Sequence, residues 1–189
     1  MKGKLFILSG PSGVGKGTVR DKILEDPRVN LTFSISMTTR KPRNGEIDGV
    51  HYYFVEKDYF EQAIKNDELL EHAAFVGNYY GTPKKAVDKL LEEGKNVLLE
   101  IEVQGAKQVM EKRPDAITIF MVPPSFEELE SRIRGRRSEP EDIVAQRLSK
   151  AKGEMELKNN YKYVVVNDTV ENASLAIIDI INSVKDKQD

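Results

Sequence analysis

The chain contains no cysteine, which excludes disulfides, thiolate-bound zinc and a cysteine nucleophile. Histidine is nearly as scarce. His51 and His72 are too few for a histidine-based metal centre, although a single acid–base histidine stays open. A dominant charge is missing as well. The 29 basic and 31 acidic residues leave a formal net charge of -2, so there is no global field of the kind a nucleic-acid binder carries. Any electropositive site must be local. No apolar run approaches the roughly 20 residues of a membrane span. Leu5 to Leu8, behind Lys2 and Lys4, is too short for the apolar stretch of a secretory signal. There is no internal repeat, low-complexity tract or Pro/Ser-rich linker. The expectation is a cytoplasmic protein with no nucleic-acid, membrane or protein partner.

What is present suits one α/β unit. With 189 residues and 39% apolar composition, the chain can bury one substantial core. Leu5 to Leu8, Val97 to Ile101, Ile117 to Val122 and Tyr163 to Val166 are short, β-branched-rich apolar runs that read as buried strands. Helical patterns cover Lys16 to Glu25, Pro83 to Glu93, Gln104 to Lys112 and Val170 to Lys185. This alternation predicts a parallel sheet flanked by helices. Two segments interrupt it. Residues 33–82 read as short strands (Phe33 to Ser36, Tyr52 to Val55, Glu71 to Val76) around a helix, Asp58 to Asn66. Residues 125–158 are charged and helical, with a break between Gly135 and Pro140. The expected plan is a core of 1–32, 83–124 and 149–189, an inserted α+β lobe of 33–82 and a helical lid of 125–148. Lobe and lid are expected to move on binding.

One motif carries specific chemistry. Gly10-Pro11-Ser12-Gly13-Val14-Gly15-Lys16-Gly17-Thr18 follows the first strand and opens a helix, the context a phosphate loop requires. Its glycines permit positive φ and close approach, so successive amides can point at phosphate oxygens. The helix N-terminus adds favourable partial charge, and Lys16 can bridge β- and γ-phosphates. The motif departs from the usual Gly-Lys-Ser/Thr ending, because Gly17 follows Lys16 and Thr18 comes one place late. A similar ending occurs in adenylate kinases, with Mg²⁺ then held mainly by phosphates and water. The protein ligand for the metal stays unassigned.

A second cluster points to an anionic acceptor. Thr38-Thr39-Arg40-Lys41-Pro42-Arg43 sets two arginines three residues apart beside a rigid X-Pro turn, and guanidinium forks match phosphate oxygens. With Ser34-Ile35-Ser36, Gly45-Glu46, Asp48-Gly49, Gly77-Asn78-Tyr79-Tyr80-Gly81-Thr82, Leu99-Glu100-Ile101-Glu102-Val103-Gln104-Gly105, Pro123-Pro124-Ser125 and Val166-Asn167-Asp168, the chain resembles the guanylate kinase family over essentially its whole length. The resemblance implies a P-loop NTPase-type fold, with 33–82 as the GMP-binding lobe. It implies transfer of the ATP γ-phosphoryl group to GMP, and to dGMP, with ATP as co-substrate and Mg²⁺. Arg40, Arg43, Tyr52 and Tyr80 match contacts to the GMP phosphate; Ser36, Glu71, Thr82 and Glu102 match positions that read guanine. Guanine offers two adjacent donors beside an O6 acceptor, so Glu71 can take both donors while the hydroxyls of Ser36 and Thr82 donate to O6. Glu102 stands where Asp is more usual, and period two puts it on one strand face with Glu100.

The remaining arginines complete the expectation. Arg132 and Arg136 lie four residues apart on one helix face, and Arg147 sits on the helix after the break. In the resemblance these close over the triphosphate. Arg132 and Arg147 join Lys16 as catalytic cations, and Arg136 and Asn167 lie on the ATP side. Without it, the run reads as an exposed, salt-bridged helix. Two other readings are weighed: a P-loop kinase for another small phosphate acceptor, and a non-catalytic module of guanylate-kinase-like type. Glu71 and Ser36 argue against the first, and the intact loop with Lys16 against the second. A GTPase lacks support, since Val166-Asn167-Asp168 is no Asn-Lys-x-Asp motif.

Overall fold

The structure, a computed structural model, describes residues 2–75, 77–135 and 140–186. It contains β1 (Leu5–Ser9), α1 (Lys16–Leu24), β2 (Leu31–Phe33), β3 (Met37–Thr38) and β4 (Tyr53–Phe54). Then come α2 (Lys57–Lys65), β5 (Leu69–Phe75), β6 (Asn78–Pro83), α3 (Lys84–Glu92) and β7 (Asn96–Glu100). The chain ends with α4 (Val103–Lys112), β8 (Ile117–Val122), α5 (Phe126–Gly135), α6 (Glu141–Met155), a 3-10 turn (Glu156–Asn160), β9 (Tyr163–Val166) and α7 (Val170–Asp186). The chain divides into two compact units: 1–5, 32–99 and 104–116 in the first, 6–31, 100–103 and 117–189 in the second.

In the second unit β1, β8 and β9 run parallel in that order, with Phe6 opposite Ile117 and Ile119 opposite Tyr163. Every residue of β1 and β8 is buried, which is why both read as unbroken apolar runs rather than alternating ones. Helix α1 presents Val19 and Ile23 and packs against α7, whose Ala173, Ile177 and Ile181 are buried. Helices α5 and α6 close a smaller cluster of Leu129, Ile133, Val144 and Ala151. Phe126–Gly135 and Glu141–Met155 are helical because these apolar residues recur at helical spacing between the charges.

The first unit holds a four-stranded sheet of order β4-β3-β6-β5. β3 is parallel to β4 and antiparallel to β6, and β5 is antiparallel to β6. Its small core gathers Met37, Phe60, Ala63 and Leu69, with Tyr79 stacked on Phe60 at 5.3 Å. Phe60 has no exposed surface, so Phe60→Ala would cost about 3–5 kcal/mol. Two expectations need correction. The strand anticipated from Phe33 to Ser36 divides into β2 and β3, with Ser34 to Ser36 outside both; the Ser34 amide instead donates to the Leu98 carbonyl at 3.1 Å. And β7 ends at Glu100, so Glu102 lies beyond the strand and does not share its face. No helix among the described residues is long and apolar enough to cross a membrane.

Candidate active site

The phosphate loop is built largely from backbone. Gly10, Gly13 and Gly15 have φ of 149°, 87° and 96°, which side-chain-bearing residues rarely adopt. A Cβ on Gly10 would also stand 2.5 Å from the Met121 carbonyl oxygen. Gly15 is the N-cap of α1, and no side chain caps that end. Its first amides are therefore left for an anion. The Lys16 side chain folds back into the loop, where its Nζ donates to the Gly10 carbonyl at 2.7 Å and the Pro11 carbonyl at 3.4 Å. Lys16 is buried, and that burial holds its pKa below the usual lysine range, opposed by the carboxylates of Glu102, Glu100 and Glu154.

Side chains from later in the chain grip the same loop. Asn167 Nδ2 donates to the Val14 carbonyl at 2.7 Å. Arg132 donates to the Val14 carbonyl at 3.4 Å and the Asn167 carbonyl at 3.1 Å, and it pairs with Glu128 at 3.1 Å. Arg147 reaches the Ser12 hydroxyl at 3.4 Å. Gly13, Val14, Thr18, Arg132, Asn167 and Asp168 border a cavity of about 240 Å³. Lys16, Arg132, Arg147 and Asn167 thus all bond to residues of the loop or of its rim. Arg136 lies outside the described residues. Arg134 is spent on Glu130 and Glu141 at 2.8 and 2.7 Å, the exposed salt-bridged arrangement.

Around Glu71 the first unit builds a different kind of site, from side chains. Strand register sets Glu71 opposite Thr82, and the Thr82 hydroxyl donates to Glu71 Oε1 at 2.6 Å. Both are nine-tenths buried. Burial pushes the Glu71 carboxyl up, and the Thr82 bond only partly offsets it. The one Thr82 proton is therefore committed to Glu71 in this arrangement. Ser36 is half-buried, and its carbonyl accepts from the Tyr53 amide at 2.9 Å.

Arg40 is fixed by a bidentate pair with Glu46, at 2.9 and 2.8 Å, and lies over the Tyr52 ring at 5.5 Å. Tyr52 meets Tyr80 edge-on at 6.2 Å. Arg43 is exposed and gives its backbone amide to Glu46 at 2.7 Å. The Arg40 guanidinium holds the Glu46 carboxyl well below the usual carboxylate range, at about 2. Arg40, Tyr52 and Tyr80 lie together, and Arg43 is tied to them through Glu46. Glu102 is exposed, with Lys150 Nζ 3.8 Å away, whereas Glu100 pairs with Arg20 at 2.5 Å.

Two residues of this region escaped the sequence reading of the site. Glu46 was visible only as part of a Gly-Glu pair, although its spacing of six and three from Arg40 and Arg43 was a usable signal. Gly105, in the first turn of α4, is required by Glu71: a Cβ there would stand 2.6 Å from Glu71 Oε2. For a metal, the donor set is poor. No group of three or more His, Asp or Glu among the described residues comes together to hold one, Gly17 has no hydroxyl, and Thr18 is exposed. These residues do not form a protein cage for Mg²⁺.

Comparison with known proteins places the chain in a family. A sequence model described as guanylate kinase matches residues 2–184. The chain is 55% identical over 181 residues to a guanylate kinase of Mycoplasma mycoides subsp. mycoides, covering 96% of this chain and 61% of that protein. It thus spans about three fifths of the length of that mycoplasma relative. It is also 55% identical over 182 residues to a guanylate kinase of Latilactobacillus sakei, covering 96% and 90% respectively. Among solved structures, a guanylate kinase from Anaplasma phagocytophilum matches with a TM-score of 0.74 at 37% identity, covering 96% of this chain and 86% of that one.

Proposed function

The chain belongs to the guanylate kinase family, and we propose that it transfers the γ-phosphoryl group of ATP to GMP, and to dGMP, giving ADP and the nucleoside diphosphate. The observation that carries this reading is the buried Glu71–Thr82 pair. A buried carboxylate with no cation bonded to it is costly, and the adjacent N1–H and amine donors of guanine would repay it. Adenine presents an unprotonated N1 there and leaves the carboxylate unpaired. Ser36 then supplies the hydroxyl for O6 while Thr82 holds Glu71, and Glu102 takes a further polar edge of the nucleoside. Arg40, Arg43, Tyr52 and Tyr80 hold the acceptor phosphate.

Little acid–base work is needed. The second pKa of a phosphate monoester is about 6, so the acceptor is mostly dianionic at neutral pH. The barrier is electrostatic, because an anion must approach the anionic triphosphate, and catalysis is positioning plus cations. The loop amides from Gly10 to Thr18 and the helix end hold the phosphates. Lys16 leaves its carbonyl partners for the β- and γ-oxygens, and Arg132 and Arg147 spread charge over the transferring group. Asn167 and Arg136 serve the ATP side. Magnesium belongs to this reading as a counter-ion that would neutralise charge on the triphosphate, with no side chain of the chain assigned to it. The segments 33–82 and 125–148 are read as acceptor lobe and lid, over a core of 1–32, 83–124 and 149–189; the lid moves when ATP binds. The setting is purine nucleotide metabolism in the cytoplasm.

The test is ADP formation from Mg-ATP with GMP, dGMP, AMP, CMP or UMP. Turnover confined to GMP and dGMP, and reduced at least about 10²-fold by Lys16→Ala, is the expected result. Preference for AMP would overturn the reading of Glu71. Binding of GMP without turnover by the wild type would turn the chain into a non-catalytic module.

A further inference from the structure

Strand β5 is the outer strand of its sheet, with β6 on one side only. It is also bulged. Leu69 stands opposite Pro83 and Glu71 opposite Thr82, so Leu70 has no counterpart on β6. A bulge bends its strand and re-aims the side chains beside it, and this one falls directly before Glu71. Held by a single ladder, such an edge would leave backbone donors and acceptors open and the direction of the Glu71 side chain loosely set.

Helix α4 supplies the missing side. Gly105, Gln108 and Lys112 follow one another at spacings of three and four and share one helix face. Lys112 Nζ donates to the Leu69 carbonyl at 2.8 Å, before the bulge. Gln108 takes both backbone groups of His72, immediately after Glu71: its Oε1 accepts from the His72 amide at 3.1 Å and its Nε2 donates to the His72 carbonyl at 3.0 Å. Gly105 leaves the space that Glu71 Oε2 occupies. The helix is itself anchored, since Ala106 and Val109 have no exposed surface. The residue type at 108 is demanding. Accepting from an N–H while donating to a C=O of the same residue suits a side-chain amide; an ionised carboxylate cannot donate, and an ammonium cannot accept. The peptide plane between Glu71 and His72 is rigid, so the bond to the His72 amide also fixes the Glu71 carbonyl. That carbonyl lies toward β6, where a Cβ on Gly81 would stand 2.8 Å from its oxygen. The backbone that carries the Glu71 side chain is thereby held from both sides.

We propose that Gln108 is a positioning residue for base selection: it clamps the edge of β5 one residue beyond Glu71, so that the carboxylate meets two adjacent donors of guanine at once rather than one. Lys112 holds the strand on the other side of the bulge. The inference rests on the proposed reading of Glu71 as the group that takes guanine; the clamp itself does not.

The experiment separates aim from stability. The full chain and its Gln108→Leu variant, similar in volume but without donor or acceptor, are assayed with Mg-ATP and either GMP or IMP, which keeps N1–H and O6 but lacks the exocyclic amine. In the variant the KM for GMP should rise about tenfold, and the preference for GMP over IMP, read as a ratio of kcat/KM values, should shrink by a similar factor. The kcat for GMP and the KM for ATP should stay within about twofold. The His72 amide should exchange with solvent faster than in wild type. Gln108→Asn, the same amide one methylene short, should shift the ratio less. A folded Gln108→Leu that melts lower but keeps the wild-type ratio has lost only an edge cover; it overturns the proposal and leaves the proposed function standing. If that variant does not fold, an unchanged ratio in Gln108→Asn overturns it in the same way. A wild type that does not prefer GMP to IMP removes the reading of Glu71, and this inference with it.

Discussion

The two units hold their candidate ligand groups by opposite means. In the phosphate-loop unit, side chains are tethered mainly to backbone carbonyls, Lys16 to Gly10, Asn167 to Val14, Arg132 to Val14 and Asn167, beside the Arg132–Glu128 and Arg147–Ser12 contacts. In the other unit, side chains are tethered to side chains: Thr82 to Glu71, and Arg40 to Glu46. Backbone amides recognise phosphate in any nucleotide, so a backbone-built loop is general. Paired side chains recognise one donor–acceptor pattern and penalise others, so they are selective. The same division separates the glycines. Gly10, Gly13 and Gly15 of the loop are needed for their own φ, whereas Gly105 is needed to make room for a neighbour's carboxylate.

This contrast can be broken at its selective end first. Glu71→Gln keeps the volume and an acceptor for Thr82 but sets an amide against guanine. The KM for GMP should rise by about 10²-fold or more with AMP still rejected, measured in coupled assays. Its stability should change in the other direction. Burial raises the Glu71 pKa in the folded chain, so the stability associated with this group is complete below its unfolded value and is lost as pH rises through the folded one. Glu71→Gln should therefore melt higher than wild type at pH 8, with the gap narrowing toward pH 4; a gap that widens on acidification would reverse the assignment.

Gly105→Ala is the next smaller change. Its methyl must displace Glu71 Oε2, so the KM for GMP should rise about tenfold with the KM for ATP unaltered. Melting should fall by the equivalent of about 1–3 kcal/mol. Equal effects on both substrates would show that the displacement spreads beyond the carboxylate. Glu46→Gln keeps the turn but loses the charge that orients Arg40. A several-fold rise in the KM for GMP is expected, with a modest fall in melting temperature at neutral pH. The Glu46 pKa is depressed to about 2. Its stabilising share is thus present above the normal carboxylate pKa and fades only as pH falls toward 2, so wild type and Glu46→Gln should converge in melting there. Arg134→Ala should do least. Its pairs with Glu130 and Glu141 are exposed, and both kcat and melting temperature should stay within error.

Much of the fold was legible because its signals are local. Leu5 to Leu8 and Ile117 to Val122 announce buried parallel strands as short runs of apolar and β-branched residues, and the observed bounds differ by at most one residue. β6 was missed. Asn78–Pro83 carries Gly81 within it and a proline at its end, and its strand character comes from pairing with β5 and β3 rather than from its own residues. Ser34 to Ser36 failed in the reverse sense, since their alternation looked like a strand but the Ser34 amide bonds to Leu98 instead. In the site, the loop and Lys16 were readable because glycine spacing and strand–helix context occupy nine consecutive residues. Glu46 as the anchor of Arg40, and Gly105 as the space for Glu71, were not, because each matters through a contact rather than a pattern.

By itself the sequence determined the α/β class, the phosphate loop and the chemical inventory of the acceptor side, since short-range periodicity, glycine conformational freedom and side-chain charge are properties of the chain alone. Tertiary structure decided which groups are spent and which are held in tension. It gave the Thr82 proton to Glu71, bound Glu100 to Arg20, and buried Glu154 with the Lys150 ammonium 3.6 Å away. Those outcomes depend on register, burial and distances of a few ångströms between residues far apart in the chain, and electrostatic energy is set by such distances rather than by residue type.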